Sequence, residues 1–354
     1  MRKNNLYVAL LVVSILLFAC SKNSNSGNPN QPVSSGVYTL NQGTYGSNNT
    51  TLTYYNFTSG AATTDFFRNA NGFDLGDTGS DFIIYGGKIY IVMNVSGYVA
   101  VTDIAAHYID TIDFKNGGVN RGPENIVAYG TNVFVSSTDG TVAVIDTTSL
   151  TVSKYILVGS NPAQMIVSGT NLCVSNTGGL SASFDSTVSI IDLNSLTETS
   201  KITVGINPGS LAADNAGYIY VACTGDYNTV GPKLVKVNTL DGTIAQSVDS
   251  AVGTLKFYNN NLLTTGGYLG SANVGYLSTF TLAAVRPSFV TDGTAIQNPY
   301  GVDVDPMTGD IYVEDAKNYS SFGEVFCFDS NGKKKFSYSV TPGITPVRSA
   351  LVMQ

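Results

Sequence analysis

The residues able to do chemistry are few, and their types narrow what that chemistry is. His107 is the only histidine in 354 residues, so a multi-histidine metal centre is excluded. A Ser/His/Asp or Cys/His nucleophile system would depend on that one residue. It follows a strand corner in Ile104-Ala105-Ala106-His107 and reads as an outer-surface residue. Cys173, Cys223 and Cys327 each sit inside an apolar strand pattern. Three is an odd number for a disulfide framework, so they read as small buried hydrophobes. Asp305-Pro306-Met307-Thr308-Gly309-Asp310 places carboxylates near a turn but lacks the alternating ligand run of an EF-hand, so it reads as a turn between strands. What remains is hydrogen-bonding and aromatic chemistry, suited to binding. Asp81, Asn125, Gln164, Ser210, Thr254, Gly301 and Arg348 recur at steps of 44, 39, 46, 44, 47 and 47, each two places after a Pro-like position. Six of the seven are polar at a place flanked by apolar residues. Tyr45, Tyr227, Tyr268 and Tyr319 fall in loops and Tyr300 at a strand start. Tyrosine offers a flat apolar face with a polar tip, which suits a planar ligand or a sugar.

The elements that must position these residues are strands. Short apolar runs such as Ile89-Tyr90-Ile91-Val92, Val133-Phe134-Val135 and Ile219-Tyr220-Val221 alternate with Gly, Asn, Asp and Ser turns. No stretch sustains a 3.6-residue apolar period, so the chain is all-β. The strands recur in a fixed order: Asn-Pro and a strand, a turn and a strand, a polar loop, a strand ending in an Asp-like corner, and a last strand. The corners fall at Asn56, Asp103, Asp146, Asp192, Asn238, Thr281 and Asp329, at steps of 47, 43, 46, 46, 43 and 48. Four strands per unit and a period of about 45 predict a seven-bladed β-propeller over residues 37–354. Residues 37–40 begin at a second-strand position, and Pro346-Val347-Arg348-Ser349-Ala350-Leu351-Val352 reads as a first strand. The last strand is therefore expected to complete the blade that the first begins. First strands of a propeller line its channel, so the seven recurring positions are expected at one mouth, with Asp81 and Arg348 in neighbouring blades. The longest loops between second and third strands, at 180–186, 225–232 and 266–275, open on that mouth.

The first twenty residues read as an address. Arg2 and Lys3 precede an apolar run over residues 6–19, too short for a membrane-spanning helix and right for a secretory core. It ends Leu17-Phe18-Ala19-Cys20, which resembles a bacterial lipobox, so Cys20 is expected to carry lipid. Residues 21–36 are Ser, Asn, Gly, Gln and Pro with almost nothing apolar, and read as a tether. The expectation is an outer-membrane lipoprotein on the periplasmic or cell-surface face, touching the membrane only through its anchor. Charged residues are 12% of the chain and the net charge is −7, which leaves no basic footprint for nucleic acid.

Three passages carry a family resemblance. They are Asn41-Gln42-Gly43-Thr44-Tyr45-Gly46-Ser47-Asn48 with Leu52-Thr53-Tyr54-Tyr55, then Leu75-Gly76-Asp77-Thr78-Gly79-Ser80-Asp81, and then residues 305–319 leading to Glu324-Val325-Phe326-Cys327-Phe328-Asp329. In these the body resembles the YncE-type seven-bladed propellers, and more closely the secreted propeller lipoproteins of the BtuG type, which capture vitamin B12 beside an outer-membrane transporter. The resemblance implies a non-enzymatic binding role in nutrient uptake, with a corrinoid as lead ligand, a glycan as another, and a transporter as partner. No cofactor is expected, and the single histidine and the carboxylate spacing give no metal site. Two other functions compete, because propellers host many. One is an enzyme of the lyase or dehydrogenase type; quinoprotein dehydrogenases are rich in Trp and this chain has none, and the lyases use a channel histidine. The other is a structural or adhesive surface protein.

Overall fold

Strands buried on both faces read as continuous apolar runs, and this chain builds its body from them. The computed structural model describes residues 34–266 and 273–353. Cys20, the leader, most of the tether and Tyr268 lie outside the described residues. Seven antiparallel four-stranded sheets account for the body. Their innermost strands are Gly79–Tyr85 in blade 1, Pro123–Tyr129 in blade 2, Pro162–Ser168 in blade 3, Pro208–Ala213 in blade 4, Leu255–Tyr258 in blade 5 and Pro299–Val304 in blade 6. Blade 7 combines the last strand, Pro346–Met353, with the first three, Ser34–Asn41, Thr51–Asn56 and Ala61–Thr63. The innermost strands touch one another in a closed cycle. Closure by the last strand is thus as expected, and the first strand begins at Ser34, three residues ahead of the expected start of the body.

Packing follows the two-residue period of a strand. In Asn132–Ser137 of blade 2, Val133 and Val135 pack with Tyr90, Val92 and Val99 of blade 1, while Phe134 packs with Met165, Leu172 and Val174 of blade 3. Seven such buried clusters occupy the seven junctions between neighbouring blades. The ring therefore leaves no apolar blade face uncovered, which is what closure achieves physically. Fourth strands form the rim and are polar; Tyr108–Asp113 is exposed at five of its six positions.

The corners are Asx turns. The side-chain oxygens of Asn56, Asp146 and Asp192 each accept the amides two and three residues on, and Asp329 accepts those of Asn331 and Lys333. In blade 5 the corner is Ser278, not Thr281. Ser278 Oγ accepts the amides of Phe280 and Thr281, so Thr281 is the fourth residue of the turn rather than its first. Two small elements carry no periodic signal in the sequence: a six-residue helix, Phe66–Asn71, which buries Phe67, and a hairpin pairing Lys115–Asn116 with Val119–Asn120. Cys173, Cys223 and Cys327 are buried and unbridged, in blades 3, 4 and 6. Burial pushes the Cys173 thiol up to about 12, which keeps it inert.

Candidate functional site

All seven recurring positions line one cavity of about 1020 Å³ on the axis of the ring. Their side chains, however, point along the ring more than into it. Each innermost strand except that of blade 5 carries a register break near its start or middle, which frees backbone amides from the ladder. The polar side chain of the preceding blade takes them up. Asp81 Oδ2 accepts Ile126 N (3.0 Å), Asn125 Oδ1 accepts Met165 N (2.8 Å) and Gln164 Oε1 accepts Leu211 N; Ser210 Oγ likewise accepts Leu255 N (2.9 Å), at the start of the unbroken strand of blade 5. Thr254 reverses the sense and donates to Tyr300 O at 2.9 Å. Arg348 Nη1 closes the belt on Asp81 at 2.6 Å. Asp81 and Arg348, expected in neighbouring blades at one mouth, are in direct contact there.

Gly301 breaks the pattern for a steric reason. A Cβ at this position would lie 2.7 Å from Glu314 Oε2 and 2.7 Å from Val347 O. Asp303 takes over its role, accepting Ser349 N at 2.9 Å and pairing with Lys256 at 2.9 Å. Glu314, fully buried behind Gly301, makes no hydrogen bond from either oxygen. Burial, then the charge of Asp303, raises its pKa well above the carboxylate range.

The groups that face open space are a different set. Tyr300 and Tyr319 both line the cavity, with ring centroids 5.8 Å apart and planes at 84°, an edge-to-face pair. Asp315 positions both. Its buried carboxylate accepts the amides of Gln297 (3.0 Å) and Asn298 (2.8 Å), which lead into the Tyr300 strand, and the amide of Lys317 (3.0 Å), which leads to Tyr319. Glu124 lines the same cavity, held by Asn94 Nδ2 at 2.8 Å. Burial and the charge of Asp81 push its carboxyl up to about 7, and Tyr300 in turn is pushed up to about 12 by burial, by Glu124 and by Tyr319.

Tyr45 and Tyr227 are not brought to the cavity. Tyr45 is 80% exposed in the loop after Ser34–Asn41. Tyr227 packs edge-on against Phe184 at 5.9 Å and accepts Asn207 Nδ2 at 3.3 Å. His107 stays at a rim corner of blade 1, paired with Asp103 at 3.1 Å and away from the cavity lining. The Asp305 carboxylate accepts Met307 N and the Thr308 hydroxyl, both at 2.8 Å, as an Asx turn between strands does. Among the described residues no group of three acids, histidines or cysteines is disposed to hold a metal ion.

Glu124 is the residue that sequence reasoning missed. It stands one place ahead of the recurring column, where the seven units read Ser80, Glu124, Ala163, Gly209, Gly253, Tyr300 and Val347. Five of these are small or apolar, and the two large polar ones both face the cavity. That contrast was available as a signal.

No protein-family model matches the chain, and no curated relative does. Solved structures share its fold. A quinonprotein alcohol dehydrogenase-like protein from Bacteroides thetaiotaomicron is 14% identical at a TM-score of 0.65, over 91% of this chain and 79% of that one. A protein from Lactobacillus plantarum is 14% identical at 0.62, over 90% and 100%. The hydrazine synthase of Kuenenia stuttgartiensis is 14% identical at 0.54, over 72% and 77%. At such identities the likeness is one of propeller fold.

Proposed function

We propose that this chain is an envelope-anchored, non-enzymatic binding protein that captures a small polar nutrient at the propeller mouth and works beside an outer-membrane transporter. The observation that carries the reading is the wall formed by Tyr300, Tyr319 and Glu124 on an open cavity of about 1020 Å³. Aromatic faces with a few convergent polar groups are the ordinary make-up of a small-molecule site. The lipobox-like Leu17-Phe18-Ala19-Cys20 supports the envelope setting, and the family resemblance supports a corrinoid, with a glycan as the other class. A second reading, proton-transfer catalysis, has one observation in its favour: a carboxyl pushed up to about 7 in a cavity is poised for it.

The test is calorimetric titration of the purified chain with cyanocobalamin and with oligosaccharides. Saturable binding is expected, weakened about tenfold or more by Tyr300→Leu or Tyr319→Leu with the melting temperature unchanged. Unaltered affinity in both variants places the site elsewhere, and turnover of the bound molecule decides for the enzyme.

A further inference from the structure

Resting on the binding role just proposed, the charges of the cavity narrow the ligand. Asp81 is matched by Arg348 at 2.6 Å and Asp303 by Lys256 at 2.9 Å. Glu124 lines the same space, and among the described residues neither lysine nor arginine pairs with it. Among the described residues its one hydrogen-bond donor is the neutral amide of Asn94. When ionised, this carboxylate has no lysine or arginine of the protein to offset it.

Its surroundings say what kind of cation. Tyr300, whose proton is held by burial and then by the nearby Glu124 charge, lines the same wall, and Tyr319 meets Tyr300 edge-to-face. Aromatic faces favour both the apolar face of a sugar ring and a cationic nitrogen. The side-chain amides of Gln42, Gln297 and Asn298 line the cavity and make no hydrogen bond among the described residues, which leaves donors and acceptors for hydroxyl groups. A neutral corrinoid, rich in carboxamides, brings hydrogen-bond donors but no positive charge to match Glu124.

We propose that the mouth selects glycans bearing a free amine, with the ammonium set against Glu124 and the sugar face laid on Tyr300. The ligand class is thus an amino sugar or a short oligomer of one. Pairing with an ammonium also favours the ionised carboxylate that burial and Asp81 otherwise oppose.

The experiment is calorimetry with two disaccharides of one skeleton, glucosamine dimer and its N-acetylated counterpart, against the purified full chain. Wild type, Glu124→Gln and Asp249→Asn are compared; Asp249 is an exposed acid on the fourth strand of blade 4, outside the cavity. The free-amine dimer is expected to bind about tenfold or more tighter than the acetylated one, as one charge-assisted hydrogen bond supplies. Glu124→Gln should remove that preference, and Asp249→Asn should leave it intact. Equal binding of the two sugars to wild type overturns the inference while leaving the capture role in place. A preference that survives Glu124→Gln, or that vanishes with Asp249→Asn, also overturns it, because general attraction to a chain of net charge −7 then explains the effect. Binding of cyanocobalamin with neither sugar bound removes the amino-sugar assignment alone. Binding of none of the three removes the capture role as well.

Discussion

Replacing Arg348 by Met tests whether the belt around the channel locks the ring. Asp81 is only 4% exposed, and its carboxylate accepts Arg348 Nη1 at 2.6 Å, Asn125 Nδ2 at 2.5 Å, Ile126 N at 3.0 Å and Phe82 N at 2.8 Å. Removing one partner of a buried ion pair costs about 3–5 kcal/mol, because the remaining charge loses its compensation. Two features lower that figure here. The Arg348 side chain is 29% exposed on the cavity, and three other donors stay on Asp81. The expected loss is about 2–3 kcal/mol; methionine keeps the packing of the arginine stem, so the change reports charge rather than volume. Asp81→Asn should cost a similar amount, since its amide nitrogen then faces donors. The double variant should be more stable than the sum of the singles by about 1–2 kcal/mol. Urea denaturation measures this as shifts of midpoint at constant slope. A midpoint shift equivalent to less than about 0.5 kcal/mol for Arg348→Met, or strictly additive singles, would falsify the lock and reduce the pair to a solvated rim contact.

Two further outcomes follow from the same structure. Deleting residues 345–354 removes the innermost strand of blade 7 and exposes to water the faces of blades 6 and 1 that it covers, so cooperative thermal unfolding by circular dichroism should disappear; a truncated chain that melts like the intact one excludes closure as described. Stability should also fall as pH rises from about 4.5 to 7: Glu124 has a raised folded pKa, so its contribution is complete below its ordinary 4.5 and is lost as pH climbs through about 7, a change of about 2 kcal/mol once cavity water is allowed for, and Glu124→Gln should flatten that slope in denaturation midpoints taken across the range. Glu314 shifts in the same direction, so its share of the slope should vanish in Glu314→Gln.

Fold and site differed in how far the residues alone reveal them. The blades are written locally. Alternating apolar runs, Asx corners such as Asp146 and Asp192, and first-strand prolines recur at a near-constant period, and each depends only on nearby residues. Even the ring-closing strand was legible, because residues 346–352 repeat a first strand and residues 37–40 lack one. The blade 5 corner was misplaced at Thr281 because a serine, Ser278, does the work of an aspartate, and a residue-type match passes over it.

The column of Asp81, Asn125, Gln164 and Arg348 was located from sequence spacing; its task was not. Which way a side chain points at the start of an innermost strand depends on a bulge, and the amide that the bulge frees is satisfied by an acceptor from the neighbouring blade. That is a relation between residues about 45 apart, made only when the ring closes. The same closure turns Glu124 and Tyr300, one place earlier in their units, towards the axis, and lets Asp315 hold two separate loops so that Tyr300 and Tyr319 meet. The sequence by itself determined seven four-stranded blades and their order. Which polar residues staple the ring and which face the cavity was decided by tertiary structure, because a strand's two faces are equivalent until a neighbour packs against one of them.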